Sequence, residues 1–188
     1  MEYRTDEEAV VAYKNGEKKA LEELVIKYKS MLLGYIKAMV YNKADAEEIF
    51  QEVWVRLIKD PQKFKGGNLA AWLTRVAHNM MVDYMRKKKP DVALDGNEDE
   101  EDMPLIDRIA DENADPLKDL MEKDSGERLK QIIMQLPQEQ REVFLMRAEM
   151  GMSFKEIADA QKVSINTVLA RMQYAVGKLR RMVNVALQ

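Results

Sequence analysis

The chain has no cysteine, and its 188 residues include a single histidine, His78. The first absence excludes disulfides, thiolate zinc sites and cysteine nucleophiles. The second excludes multi-histidine metal centres and helical HExxH hydrolases. No leader is expected, because the opening MEYRTDEE is acidic and polar rather than basic and then apolar. The most apolar stretch, Met31 to Tyr41, is interrupted by Lys37 and is too short to span a bilayer. No nucleophile–base pair or metal-ligand set stands out either. These absences predict a cytoplasmic protein with no membrane insertion, no metal, no cofactor and no enzymatic activity of its own.

A surplus of positive charge is also missing. Thirty Lys and Arg face 33 Asp and Glu, for a net charge of −3. Taken over the whole chain, that balance argues against a nucleic-acid partner. The total conceals a segregation along the sequence. Residues 1–90 hold 17 basic and 13 acidic side chains, a net of +4. Residues 91–127 hold 3 and 15, a net of −12, and residues 128–188 hold 10 and 5, a net of +5. Two mildly basic blocks flank one acidic stretch.

Helical periodicity fills both blocks. Leu21, Leu24, Val25, Tyr28, Leu32, Tyr35, Ile36 and Met39 recur at helical spacing over Lys18 to Val40, after a shorter helix from Asp6 to about Asn15-Gly16. A second stripe, Ala46, Ile49, Phe50, Val53 and Leu57, is opened by Asp45 as expected N-cap and closed by Asp60-Pro61. After the Lys65-Gly66-Gly67-Asn68 turn, a third runs Leu69, Trp72, Leu73, Val76, Ala77, Met80 and Tyr84. Residues 91 to about 115 have no apolar period and read as a solvated linker, with one helical turn around Leu105–Ile109. A calcium loop at Asp95, Asn97 and Asp99 fails, because Glu100 stands where a turn glycine is needed and Ile106 where a bidentate glutamate is. Helical period resumes near Pro116, and Pro137 opens a helix that Gly151 ends. The expected fold is all-α, with a helical bundle in 1–90, the linker in 91–115 and a helix-turn-helix domain in 116–188. The fourteen methionines serve mainly as core filler.

Three surfaces carry chemistry. In 153–181, Ser153 to Glu156 is a capping box, Val163-Ser164 is a break, and a long helix follows whose inner face is Val168, Met172, Ala175 and Leu179. Ser164, Asn166, Thr167, Ala170 and Arg171 then project outward, with Gln173 and Tyr174 further along. Arg171 suits a guanine edge or a phosphate, and Asn166 a base edge or a backbone oxygen. A basic last turn on an ordinary three-helix bundle is the alternative. On the third helix of the first block, Arg75, Asn79, Val82 and Arg86 form one ridge, bordered by Lys87 and an exposed His78. That ridge fits a single or melting strand, or else a solvated face. Over 45–60, Asp45, Glu47, Glu48, Gln51, Glu52 and Arg56 ride above the apolar stripe with an exposed Trp54, which fits docking on a partner helix or, again, a solvated face.

These segments resemble a known family. DAEEIFQEVWVRLIK (45–59) and FKGGNLAAWLTRVAHNMMVDYMRKKK (64–89) resemble region two of bacterial RNA polymerase sigma factors. LPQEQREVFLMRAEMGMSFKEIADAQKVSINTVLARMQYAVGKLRR (136–181) resembles their region four. Both blocks in this order are similar to the small extracytoplasmic-function group. The resemblance implies core-polymerase contacts, on β′ and β, with Asp45, Glu48, Gln51, Glu52 and Trp54 on the docking helix. It implies minus-ten contacts at Asn68, Arg75, Asn79, Asp83, Arg86 and Lys87. It implies minus-thirty-five contacts at Ser164, Asn166, Thr167, Ala170, Arg171 and Tyr174, and an anti-sigma factor among the partners. Three positions depart from the family pattern. Lys162 replaces the turn glycine, Leu169 a lysine and Tyr174 an arginine, which predicts a strained turn and fewer phosphate contacts. A stand-alone dimeric helix-turn-helix regulator and a pure protein-interaction module are the competing expectations.

Overall fold

The computed structural model describes residues 3–88 and 126–186. The expected linker, 91–115, its turn around Leu105–Ile109 and the start of helix near Pro116 lie outside the described residues. All regular structure among the described residues is helical. The described residues form eight α-helices: α1 Asp6–Lys14, α2 Lys18–Met39, α3 Lys43–Lys59, α4 Leu69–Lys88, α5 Gly126–Ile133, α6 Gln138–Ala148, α7 Phe154–Gln161 and α8 Ile165–Ala186. The chain divides into two compact units, with the division falling inside α4 after Val82.

In the first unit α1 packs on α2, and α2 on α3. The core is Leu24, Leu32, Tyr35 and Ile36 from α2, Ala46, Val53 and Leu57 from α3, and Leu69, Leu73, Ala77 and Met81 from α4, all buried. The expected stripe of α2 is thus present. At the start of α3 the N-cap is Asn42, not Asp45: the Asn42 side chain accepts from the backbone N–H of Ala44 and Asp45 at 2.9 and 3.1 Å. Asp45 lies inside the first turn, where its charge complements the helix dipole.

The core face of α4 is also rotated from the expected one. It runs Ala70, Leu73, Thr74, Ala77, His78 and Met81. Trp72 and Val76 are only partly covered. Thr74 is tolerated there because its hydroxyl donates back to the Ala70 carbonyl at 2.7 Å. His78, expected to be exposed, is 8 % exposed and belongs to this buried face, one turn after Thr74.

In the second unit α8 packs on α6, α7 and α5. Val168, Met172, Ala175 and Leu179, the expected inner face of α8, are all buried. α6 is covered almost all round, from Gln140 through Met146. Its buried Arg141 donates from Nη1 to the Met134 carbonyl at 2.8 Å, which ties the α5–α6 loop to α6.

Candidate nucleic-acid interface and docking face

The α7–α8 pair is built as its sequence requires. Ser153 and Glu156 close the capping box at the start of α7, Ser153 Oγ accepting from Glu156 N at 3.2 Å and Glu156 Oε2 from Ser153 N at 2.8 Å. Lys162 ends α7 in the left-handed conformation, φ 58° and ψ 40°. It has positive φ, as expected of a residue standing in a glycine position. Ser164 then caps α8 through Thr167 N at 3.0 Å, with its hydroxyl 2.8 Å from Thr167 Oγ1. No acidic residue occupies the first turn of α8, so no side-chain charge of that turn offsets the positive end of the helix dipole. Ser164 and Asn166 are exposed there, and Thr167, Ala170 and Tyr174 are half-buried.

Arg171 does not project outward as expected. Its guanidinium pairs with Glu139 of α6 and donates from Nη1 to Gln161 Oε1 of α7 at 3.2 Å, and its side chain is 18 % exposed. Gln161 in turn donates from Nε2 to Glu142 Oε2 at 2.9 Å. Arg171 stands in the second turn of α8, after the Lys162–Ser164 break, and its charge meets α6 and the end of α7. Glu139, Gln161 and Glu142 escaped sequence reasoning, because nothing in the spacing of residues on separate helices signals that they meet.

On α4 the expected ridge is present. Arg75, Asn79, Val82 and Arg86 are all exposed, on the side opposite Leu73 and Ala77. Asp83 and Arg86 form an exposed ion pair at 3.0 Å, of a kind worth about 0–1 kcal/mol. Arg86, Lys87 and Lys88 make the last turn basic. Asn68 sits at the other end of α4, exposed, its Oδ1 accepting from Ala71 N at 3.1 Å. One face of this amide therefore caps the helix. Before it, Gly66 and Gly67 take φ of +100° and +86°. Phe64 anchors the turn from below, buried and edge-on to Trp72 with centroids 6.3 Å apart.

On α3 the acidic face is exposed at Glu47, Glu48, Gln51 and Glu52, with Asp45 half-buried at its edge. Trp54 corrects the expectation. It is 5 % exposed, edge-on to Phe50 at 6.4 Å, and its Nε1 has no hydrogen-bond partner. Its position between Val53 and Leu57, both fully buried, turns the indole under the acidic face rather than onto it.

The sigma-70 region 2 model matches residues 24–90, and the sigma-70 region 4 model matches residues 126–179. The chain is 27% identical over 170 residues to the ECF RNA polymerase sigma factor SigW of Bacillus subtilis, covering 89% of this chain and 91% of that one. It is also 27% identical to the RNA polymerase sigma-H factor of Pseudomonas aeruginosa, covering 89% and 88%. The chain belongs to the extracytoplasmic-function group of sigma factors.

This sigma factor has solved structural relatives of the same fold. CnrH in complex with the cytosolic domain of CnrY aligns with TM-score 0.61 at 19% identity, over 96% of this chain and 97% of that one. The sigma factor RpoE of Bartonella quintana, in complex with the anti-sigma factor NepR, aligns with TM-score 0.61 at 21% identity, over 89% and 98%. In this sigma factor region 2 falls on α2–α4 and region 4 on α5–α8. No described helix is long and apolar enough to cross a membrane, and no cluster of possible metal ligands occurs among the described residues.

Proposed function

We propose that this sigma factor works through three surfaces, each made of exposed and half-buried side chains on a buried helical core. The acidic face of α3, with Asp45, Glu48, Gln51 and Glu52, docks on a coiled coil of the polymerase β′ subunit, and Trp54 supports it from beneath. Asn68 and the α4 ridge of Arg75, Asn79, Asp83, Arg86 and Lys87 receive the opened minus-ten strand. The amino end of α8, with Ser164, Asn166, Thr167 and Ala170, enters the minus-thirty-five major groove, with Tyr174 beyond. Arg171 holds that helix in place. The functional domains are 1–90 and 116–188, joined by the acidic segment 91–115.

The observation that carries the reading is the presence of both regions, in order, in one chain. Backbone charge supplies affinity and the exposed amides supply discrimination. The polymerase supplies the chemistry, so the chain itself is no enzyme and acts in the cytoplasm, where the polymerase is. The charges of +4 on residues 1–90 and +5 on residues 128–188 are small for a DNA binder. Weak promoter binding alone, and firm binding only with polymerase, follow from them. An anti-sigma protein is a further partner, supported by the complexes in which CnrH-like and RpoE-like folds are seen. The test is initiation by core polymerase with and without the chain, followed by sequencing of the transcript starts. Starts that share spaced minus-thirty-five and minus-ten elements are expected, and starts no different from core polymerase alone contradict the proposal.

A further inference from the structure

α1 contributes no residue to the surfaces above, yet it holds the turn that leads into α4. Its own placement is firm. Thr5 and Glu8 close a capping box at its start, Ala9, Val10 and Ala12 are buried, and Asp6 pairs with Lys27 of α2 at 2.5 Å. Asp6 also accepts from the Tyr28 hydroxyl. From this fixed helix the Glu7 carboxylate reaches a partner 60 positions away and accepts from the Gly67 N–H. Lys14, at the far end of α1, donates to the Phe64 carbonyl at 3.5 Å.

Those two ties bracket the turn. Phe64 is fixed by burial, and Asn68 is fixed by capping α4. Between them stand two adjacent glycines at positive φ, with no side chains of their own to restrict them. A Cβ added at Gly66 would stand 2.9 Å from Glu7 Oε1, so the carboxylate lies directly against this backbone. The shape of the Gly66-Gly67 turn is thus imposed from outside, and Glu7 imposes it.

We propose that Glu7 is a positioning residue for capture of the unpaired promoter strand, acting through the Gly66-Gly67 turn without touching DNA. The inference rests on the assignment of Asn68 and its turn to the minus-ten strand. A turn already held in one shape loses less freedom when a nucleotide seats against it, and it presents Asn68 to each base in the same geometry. Affinity for the strand and discrimination between bases then both depend on a residue in another helix.

The test uses holoenzyme assembled from the full chain and core polymerase. Binding is measured to single-stranded minus-ten oligonucleotides with the base permuted at each position, and core affinity is measured by competition. Glu7→Ala is expected to weaken strand binding about tenfold, the scale of one lost hydrogen bond to a charged group, and to narrow the ratio between best and worst base. Glu7→Gln, whose amide oxygen still accepts from Gly67, is expected to keep most of both. Core affinity stays as in the parent for each variant, and Glu22→Ala, the same charge change at an exposed site on α2, behaves as the parent.

Wild-type strand affinity and base preference in Glu7→Ala would overturn the inference. So would a parallel loss of core affinity, which marks a damaged bundle instead. Should Glu7→Ala fold poorly, Lys14→Met loosens the other tie. A narrowed preference there supports the inference and an unchanged one opposes it. If the parent holoenzyme itself shows no base preference on any oligonucleotide, the minus-ten assignment fails, and this inference with it.

Discussion

The Arg171 guanidinium is ion-paired to the Glu139 carboxylate, so the arginine of the candidate recognition helix is turned toward α6. Its second tie, 3.2 Å to Gln161 Oε1, joins α7 to the same network. One side chain thereby links all three helices that set the angle of the recognition surface. A partly buried charge held this way is costly to strand without its partner. Under the proposed function its role is to orient α8, and base reading is assigned to the exposed residues of the first turn.

A double-mutant cycle tests that role. Arg171→Ala and Glu139→Ala are each expected to destabilise the α5–α8 unit by about 2 kcal/mol, while the double variant loses clearly less than the sum. Chemical denaturation followed by circular dichroism measures it. Additive losses, with Arg171→Ala abolishing the preference at one minus-thirty-five base, would show a base-reading arginine instead.

Lys162 stores strain that a glycine would release. It adopts φ 58° at the end of α7. Lys162→Gly is expected to raise the stability of this unit by about 0.5–1 kcal/mol, read as a higher denaturant midpoint with an unchanged slope. A lower midpoint contradicts the assignment of strain to this residue.

The docking face and the tryptophan beneath it separate cleanly. Glu48→Lys combined with Glu52→Lys alters exposed positions only. That variant should keep the parent's melting temperature and bind core polymerase at least roughly tenfold more weakly, as opposed charges meet across the interface. Trp54→Ala empties a core position and should cost about 3–5 kcal/mol of stability. Equal melting temperatures for parent and Trp54→Ala would contradict the buried placement.

The α4 ridge should reveal itself through salt. Arg75→Ala is expected to weaken binding to single-stranded minus-ten DNA for every base alike and to lower the salt slope by roughly 0.7, the value for one phosphate contact on a single strand. Asn79→Ala should leave the slope alone and change the preference among bases. Binding isotherms at several salt concentrations distinguish these outcomes, and an unchanged slope for Arg75→Ala removes it from the interface.

Tyr28 gives the bundle an alkaline limit. Burial first, and then its hydrogen bond to Asp6, push the phenol well above the ordinary tyrosine range. Below about pH 10 the folded and unfolded phenols are both protonated and its contribution is whole. Above that pH the unfolded phenol ionises while the folded one keeps its proton, so stability falls as pH rises. Tyr28→Phe should lose about 1 kcal/mol at neutral pH and show a flatter alkaline decline. An equally steep decline in that variant would assign the limit to other groups.

The helices were legible because their signals are local. The stripe of α2, the Ser153–Glu156 capping box, the Ser164 cap and the inner face of α8 each follow from residues a turn or two apart. The exposed ridge of α4 was legible for the same reason. Failures arose where a choice lay between neighbouring positions or depended on distant partners. Asn42 outcompeted Asp45 as cap because it stands before the first turn. His78 entered the core because packing on the bundle rotated the buried face of α4 away from Trp72 and Val76. Trp54 followed Val53 and Leu57 inward. The Arg171–Glu139 pair and the Glu7–Gly67 bond join residues on different helices, and no periodicity within one helix encodes such a meeting.

The central claim is that the chain confers promoter choice on core polymerase through two separate surfaces. Its most direct test is run-off transcription from one promoter carrying both elements, using core polymerase with the parent, with Asn166→Ala or with Asn79→Ala. The account predicts specific transcript with the parent only when polymerase and chain are both present. It predicts that mutating the minus-thirty-five element has little further effect on Asn166→Ala, and mutating the minus-ten element little further effect on Asn79→Ala. Specific transcript unaffected by either substitution, or none with the parent on any template, would contradict it.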